Sequence, residues 1–304
     1  MYIHTFPIFA LKFDPVKNRT VKFLLPAHEY QMGQLTVKQP FPTQKVEYPD
    51  PFLLLHHALV RVNPDVSTRL QGVGPHPHRG FSPVTFIFEG GVHHQDSRGN
   101  NSVVYKGGVQ WMNAGMGIIH SERPPTDIFE HGGIQEIIQM WVNTPSVAKM
   151  KQPEYYAFSD NEITQWKNPA GKTFMKIISG SVMNLEGPVT TPLPINSATI
   201  QMYSGEQISL PVVQNHEAFI YLLDGELIVP GYGLVPARHA LFFNQDGEGI
   251  TIQAKEDTRI LFMSGKPINE PMASQGPFVM SNETQLLEAM RDYRMGKMGI
   301  LIED

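Results

Sequence analysis

The sequence predicts an all-β protein built as two tandem β-barrels of jelly-roll type and finished by a C-terminal helix. Short apolar runs of strand character recur along most of the 304 residues, separated by turn residues drawn from 26 glycines and 25 prolines. One half echoes the other: Phe86-Ile87-Phe88-Glu89-Gly90 returns as Tyr221-Leu222-Leu223-Asp224-Gly225, 135 positions later. From Ser281 onward the apolar spacing becomes helical.

Taken in order, Val21–Leu25 is an early strand whose partner the sequence does not disclose. Asp50-Pro51 is a turn signal leading into the apolar strand Phe52–Leu55, and His56-His57 read as polar residues at its exit. Arg61 to Gly74 reads as a loop. Val84–Phe88 is strongly β-like, with Pro83 tolerable only because it stands at the start. Gly107-Gly108 introduces the strand Val109–Met112, and the turn residues 113–117 lead into another strand. Ile134–Val142 closes the first barrel, with Trp141 as a packing residue. The first domain is therefore expected to span 1–145 and the second 146–304, joined by a connector of loop and short helix that runs to Trp166. Strands at Phe174–Ser179, Ala198–Ile200, Phe219–Tyr221, Leu227–Val229, Ala240–Phe243 and Ile260–Met263 build the second barrel. In the terminal helix Asn282 and Gln285 stand at capping-box spacing, Leu286, Met290 and Tyr293 share a face, and Gly296 ends it.

Composition sets limits. A hydrophobic share of 41% against 17% charged is enough for two packed cores and too apolar for a disordered chain. The absence of cysteine removes disulfides, thiolate nucleophiles and thiolate zinc sites together, so any metal must be held by nitrogen and oxygen. A net charge of −5 argues against a large phosphate-binding surface and hence against direct nucleic-acid binding. No apolar run approaches the ~20 residues that span a bilayer, and the opening residues lack the pattern of a secretory signal. A cytoplasmic location is the expectation.

The chemistry concentrates in two segments. In a strand, positions i and i+2 share a face. Pro75-His76-Pro77-His78 therefore presents two imidazoles side by side, and His120-Ser121-Glu122 presents an imidazole and a carboxylate. If these strands lie together inside one barrel, His76, His78, His120 and Glu122 converge on one mononuclear site. Such donors suit iron, manganese, nickel, cobalt, copper or zinc rather than Ca²⁺ or Mg²⁺. Four protein ligands leave positions open on a six-coordinate ion, and a ligand carboxylate can leave the metal and act as general base. The 135-residue offset carries His76 to Pro211 and His78 to Val213, so the second barrel is expected to be metal-free, with His216 and His239 as ordinary barrel residues.

The segments PHPHRGF, EGGVHHQDSRGN, GGVQWMNAGMGIIHSERP and GPFVMSNETQ resemble the pirin family of double-domain cupins, from about Asp50 to the last helix. The resemblance implies that His76, His78, His120 and Glu122 hold an iron ion, with Fe(II) the expected state. Some members resemble quercetinases, which open a flavonol ring with O₂ and release carbon monoxide. For this chain that implies a flavonol substrate and O₂ as partners, with Glu122 taking the proton of the 3-hydroxyl. Other members are iron-dependent, redox-sensing regulators, which implies the alternative of a module that binds a protein partner without turnover. A sugar-phosphate isomerase on the same fold would need a cationic pocket, for which the ligand segments offer only Arg79 and Arg123. One departure stands out: Ser82 occupies a position where family members commonly carry glutamate, which would alter the hydrogen bonds around the histidines. His94 is expected to line the cavity as a packed or hydrogen-bonded residue rather than a ligand, and His93 to face outward. Arg79 and Arg123 are expected to pair with nearby acids, and Trp111 to sit in the core.

Overall fold

The computed structural model describes residues 17–33, 35–44 and 46–303; the opening residues read above for a signal lie almost wholly outside them. Both barrels expected from the sequence are present, each made of a seven-stranded and a four-stranded sheet. In the first, the larger sheet runs Glu154–Phe158, Val109–Asn113, Phe81–Glu89, Gly133–Asn143, Phe52–Val62, Leu35–Gln39, His28–Met32. The smaller runs Val73–His78, Ile118–Arg123, Gly91–Asp96, Asn101–Tyr105. In the second barrel, the larger sheet begins with Val21–Pro26 and His239–Phe243 and continues through Glu217–Asp224 and Thr258–Gly265. Two helices are described, α1 (Thr126–His131) and α2 (Glu283–Arg294).

The division expected after residue 145 is crossed in both directions. Val21–Pro26 finds its partner in the second barrel, where Leu24 faces Leu241 across an antiparallel ladder. Glu154–Phe158, inside the segment read as loop and short helix, pairs with Val109–Asn113 and so forms an edge of the first barrel. Each half thus lends the other a strand.

A shared core lies where the two seven-stranded sheets meet. Phe52, Leu55, Phe86, Trp111 and Met140 from the first pack against Phe219, Tyr221, Phe242 and Met263 from the second. Alternation along the first barrel's strands then decides what faces inward. In Phe52–Val62, Leu55 and His57 face the shared core, whereas His56, Ala58 and Val60 line a cavity inside the first barrel. In Gly133–Asn143, Ile138 and Met140 face the shared core, and Gln135, Ile137, Gln139 and Trp141 face the cavity. His56 and His57 are therefore mid-strand residues, since the strand runs on to Val62; the strand exit expected at these positions is corrected accordingly. Trp141 is half-buried and lines the cavity, while Trp111 is fully buried as expected.

The second barrel is filled instead. Ile208, Leu210, Ile220, Leu222, Leu227, Ile250 and Ile252 close its interior with aliphatic side chains. At the chain's end, α2 is capped by the Asn282 side chain, which accepts from the Gln285 amide, while the Gln285 side chain accepts from the amide of Ser281. Leu286 and Ala289 are buried against Phe278, Met280 and Met298, whereas Tyr293 stays largely exposed.

Candidate metal centre

The strand Val73–His78 pairs with Ile118–Arg123 so that His76 stands directly opposite His120, and His78 opposite Ile118. The i, i+2 spacing puts His76 and His78 on one face, and the three imidazoles meet with their ligand atoms within 4.8 Å of one another. Ring centroids are 4.3–4.9 Å apart. His78 and His120 are buried, and His76 is half-buried.

Three features indicate that these rings suit a metal ion. First, the Nδ1 of His76 donates to the Gly74 carbonyl at 2.8 Å, which leaves its Nε2 with a free lone pair. That Nε2 lies 3.0 Å from the Nε2 of His120. Two nitrogens bound at right angles to one ion, with bonds of about 2.1 Å, would be separated by about 3.0 Å. Second, both ring nitrogens of His78 are buried and neither makes a well-formed hydrogen bond, the Pro277 carbonyl beside the ring offering a weak contact to one of them at most, so an ion would satisfy an open lone pair. Third, burial pushes the pKa of His78 and of His120 well below the ordinary imidazole range, and the neighbouring imidazoles add to the effect. The rings are thus neutral, the form that binds metal.

His120 is oriented by a chain of contacts. Its Nδ1 lies 3.4 Å from the Nδ1 of His94, whose Nε2 lies 3.0 Å from Asp96. Burial would push the Asp96 carboxyl up. Hydrogen bonds from His94, the Asn100 side chain and the Arg98 amide instead hold it below its usual range. A carboxylate accepting from His94 Nε2 leaves Nδ1 to accept from His120, which turns the His120 Nε2 lone pair toward His76. Tyr155, from the strand lent by the second half, stacks on His94 with centroids 4.0 Å apart. His94 is thus hydrogen-bonded and packed, as expected, while His93 is half-buried and bonds to Asn101.

Glu122 lines the same cavity, but its carboxylate lies outside the three-histidine cluster. One oxygen accepts from the Thr85 hydroxyl at 2.8 Å and the other from the Gln139 amide at 2.6 Å. Ser82 does not approach the triad. It alternates to the opposite face from Thr85 and donates to Asn113, which also accepts from Trp111. The expectation that a serine at this position would alter the histidines' hydrogen bonds is therefore corrected. Both arginines pair as expected: Arg79 with Asp292 of α2 and the Met116 carbonyl, Arg123 with Glu303. Gly80, just past the ligand strand, has φ +86°, and a Cβ there would collide with the Val279 carbonyl. Buried Lys149 fastens this contact by donating to the carbonyls of Gly80 and Val279 and to Asn143.

The cavity beside the triad has a volume of about 290 Å³. Its walls include Met32, Leu35, Val37, Ala58, Val60, Val73, Ile137 and Trp141, with no lysine or arginine among its described residues. His56, which alternation could have flagged, was hidden by ending its strand at Leu55, whereas Gln139 stood inside the expected strand Ile134–Val142 with nothing local to mark it. The Thr85–Glu122 and Asp96–His94–His120 contacts depend on three-dimensional proximity and leave no signal in sequence spacing.

A histidine triad inside the first of two barrels, with an aliphatic filling in the second, defines a two-domain cupin with one candidate metal centre. Comparison with known proteins places it further. The pirin family model matches residues 34–142, and the model for the pirin C-terminal cupin domain matches residues 197–299. A Pseudomonas aeruginosa protein named "Putative quercetin 2,3-dioxygenase" is 34% identical over 247 residues, covering 81% of this chain and 86% of its own length. Pirin-1 of Arabidopsis thaliana is 34% identical over 82% of this chain and 84% of its own. A crystal structure of a quercetin 2,3-dioxygenase from Acinetobacter baumannii superposes with a TM-score of 0.87 at 32% identity, covering 94% of this chain and 100% of that one. The chain belongs to the pirin family.

Proposed function

We propose that this protein is a metal-dependent dioxygenase that cleaves a flavonol-type ring with O₂, with His76, His78 and His120 as metal ligands. The observation that carries the reading is the largely apolar, cation-free cavity opening directly on three converging imidazoles. The relatives named as quercetin dioxygenases support the substrate class. The same lining disfavours a sugar phosphate, which would need cations to offset its charge.

A bound divalent ion, iron in this reading, would supply the redox contact between O₂ and the electron-rich ring. The chain's own residues do the rest. The aliphatic walls and Trp141 hold a planar aromatic and exclude water. Thr85 and Gln139 fix the Glu122 carboxylate, each occupying one lone pair of a different oxygen and leaving another free. Glu122 takes the proton of the substrate hydroxyl, making the ring easier to oxidise. Gln139 is itself held because its Oε1 accepts from the Trp141 indole at 3.2 Å.

The test is aerobic turnover of quercetin by protein loaded with Fe²⁺, Mn²⁺ or Ni²⁺, following substrate loss and CO. His78→Ala should abolish both metal stoichiometry and turnover. Glu122→Gln should retain the ion on the imidazoles yet slow turnover by about 100-fold or more. Metal-loaded protein that never releases CO would sink the dioxygenase reading.

A further inference from the structure

The wall of the cavity opposite the triad carries one more histidine, which no step above uses. His56 belongs to the seven-stranded sheet, whereas His76, His78 and His120 belong to the four-stranded one. It is 6% exposed, lines the cavity, and stands beside Gln139 in the ladder between Phe52–Val62 and Gly133–Asn143. It therefore lies one strand spacing from the glutamine that grips Glu122.

The proton position on His56 can be read from its surroundings. The amide nitrogen of Gln39 donates to the Pro42 carbonyl at 2.9 Å, which fixes the amide's orientation. Its oxygen then faces the Nε2 of His56 at 2.8 Å, and an amide oxygen can only accept. Nε2 must carry the proton, so Nδ1 has a bare lone pair. No described residue donates to Nδ1, and it is not among the sealed, unpartnered buried atoms. Tyr30 stacks against the ring, with centroids 5.7 Å apart, and restricts its rotation. Burial lowers the ring's pKa to about 4, so the acceptor persists at neutral pH.

We propose that His56 is a specificity-determining residue: its Nδ1 accepts a hydrogen bond from a hydroxyl on a neutral, planar aromatic ligand whose other end faces the histidine triad. The inference rests on reading this cavity as the substrate site. A largely apolar pocket with an oriented acceptor on the wall away from the triad and Glu122 distinguishes rings hydroxylated at that end from unsubstituted ones, because the hydroxyl loses its water on entry and needs a replacement partner. The ligand class is thus a phenol-bearing polycyclic aromatic, bound by its far hydroxyl as well as by its near one.

The test is binding rather than turnover. The probes are 2-naphthol and its isostere 2-methylnaphthalene, titrated into the full chain, both as purified and after chelation, and followed by quenching of the cavity residue Trp141. Wild-type protein should prefer the naphthol by about 5- to 10-fold in both samples, the worth of one hydrogen bond. His56→Leu should bind the two probes within about twofold of each other. His56→Asn, whose side-chain oxygen can stand in for Nδ1, should restore the preference and shows that any loss is not misfolding. A preference that survives in His56→Leu, or that vanishes on chelation of the wild type, assigns the hydroxyl to another group and overturns the proposal. If neither probe quenches Trp141, the cavity is not a ligand site, and the reading on which the proposal rests fails with it.

Discussion

At the scale of single residues, the candidate centre shows what period-2 spacing can and cannot disclose. His76, His78 and His120 were legible because alternate residues of a strand share a face, and the structure sets two of them opposite each other in one ladder. What sets their tautomers was not legible, because the Gly74 carbonyl, His94 and Asp96 act through space. This gives a prediction at the same scale. His94→Phe keeps the ring packed on Tyr155 but removes the acceptor that orients His120. Metal affinity measured by calorimetry should fall by about 10- to 100-fold, and the metal-free protein should lose about 1 kcal/mol because buried Asp96 keeps only its Asn100 and Arg98 donors. An unchanged affinity would mean that the triad needs no orienting partner.

At the scale of elements, most strands were readable from apolar runs, whereas their partners were not. Val21–Pro26 looks like any early strand, and nothing local says that His239–Phe243, more than two hundred residues away, completes its ladder. Glu154–Phe158 was masked by its proline, tyrosine and acidic neighbours, which read as a connector. The exchange predicts that residues 1–145 expressed alone will not give a dispersed, folded NMR spectrum. That fragment exposes a strand with no partner and lacks the strand that covers Val109–Asn113. The terminal helix is tied in as firmly as a strand. Asp292 of α2 reaches buried Arg79, and its pKa, lowered chiefly by Lys297 and also by Arg79, is about 2. Asp292→Ala should therefore cost about 2 kcal/mol in urea denaturation, since the guanidinium stays buried.

At the scale of the whole molecule, the two barrels are joined by a polar network set within apolar packing. Glu136 meets His57 at 3.1 Å and Arg259 at 2.6 Å, while His57 also contacts the Tyr221 hydroxyl at 3.1 Å. Burial would raise the Glu136 carboxyl, but His57 and Arg259 hold it at about 2. Burial also lowers the pKa of His56, His57, His78 and His120. Below pH 6.5 the unfolded chain binds protons that these four folded rings refuse, so stability should fall as pH drops from 6.5 toward 4. The Glu136 contribution should survive to about pH 4.5 and be lost on the way to 2. Melting of the metal-free protein should thus be flat between pH 7 and 8 and drop steadily below 6.5; a flat profile down to pH 5 would show that these rings titrate normally. The contact of Gly80 with Val279 has a consequence for how the protein is made. A ribosome that has delivered the first 270 residues has synthesised every proposed ligand, yet not the segment that locks the loop beside them. A chain halted there would carry His76, His78 and His120 but lack the Val279 carbonyl that packs on Gly80, so the order of synthesis leaves the closing of that loop to the end.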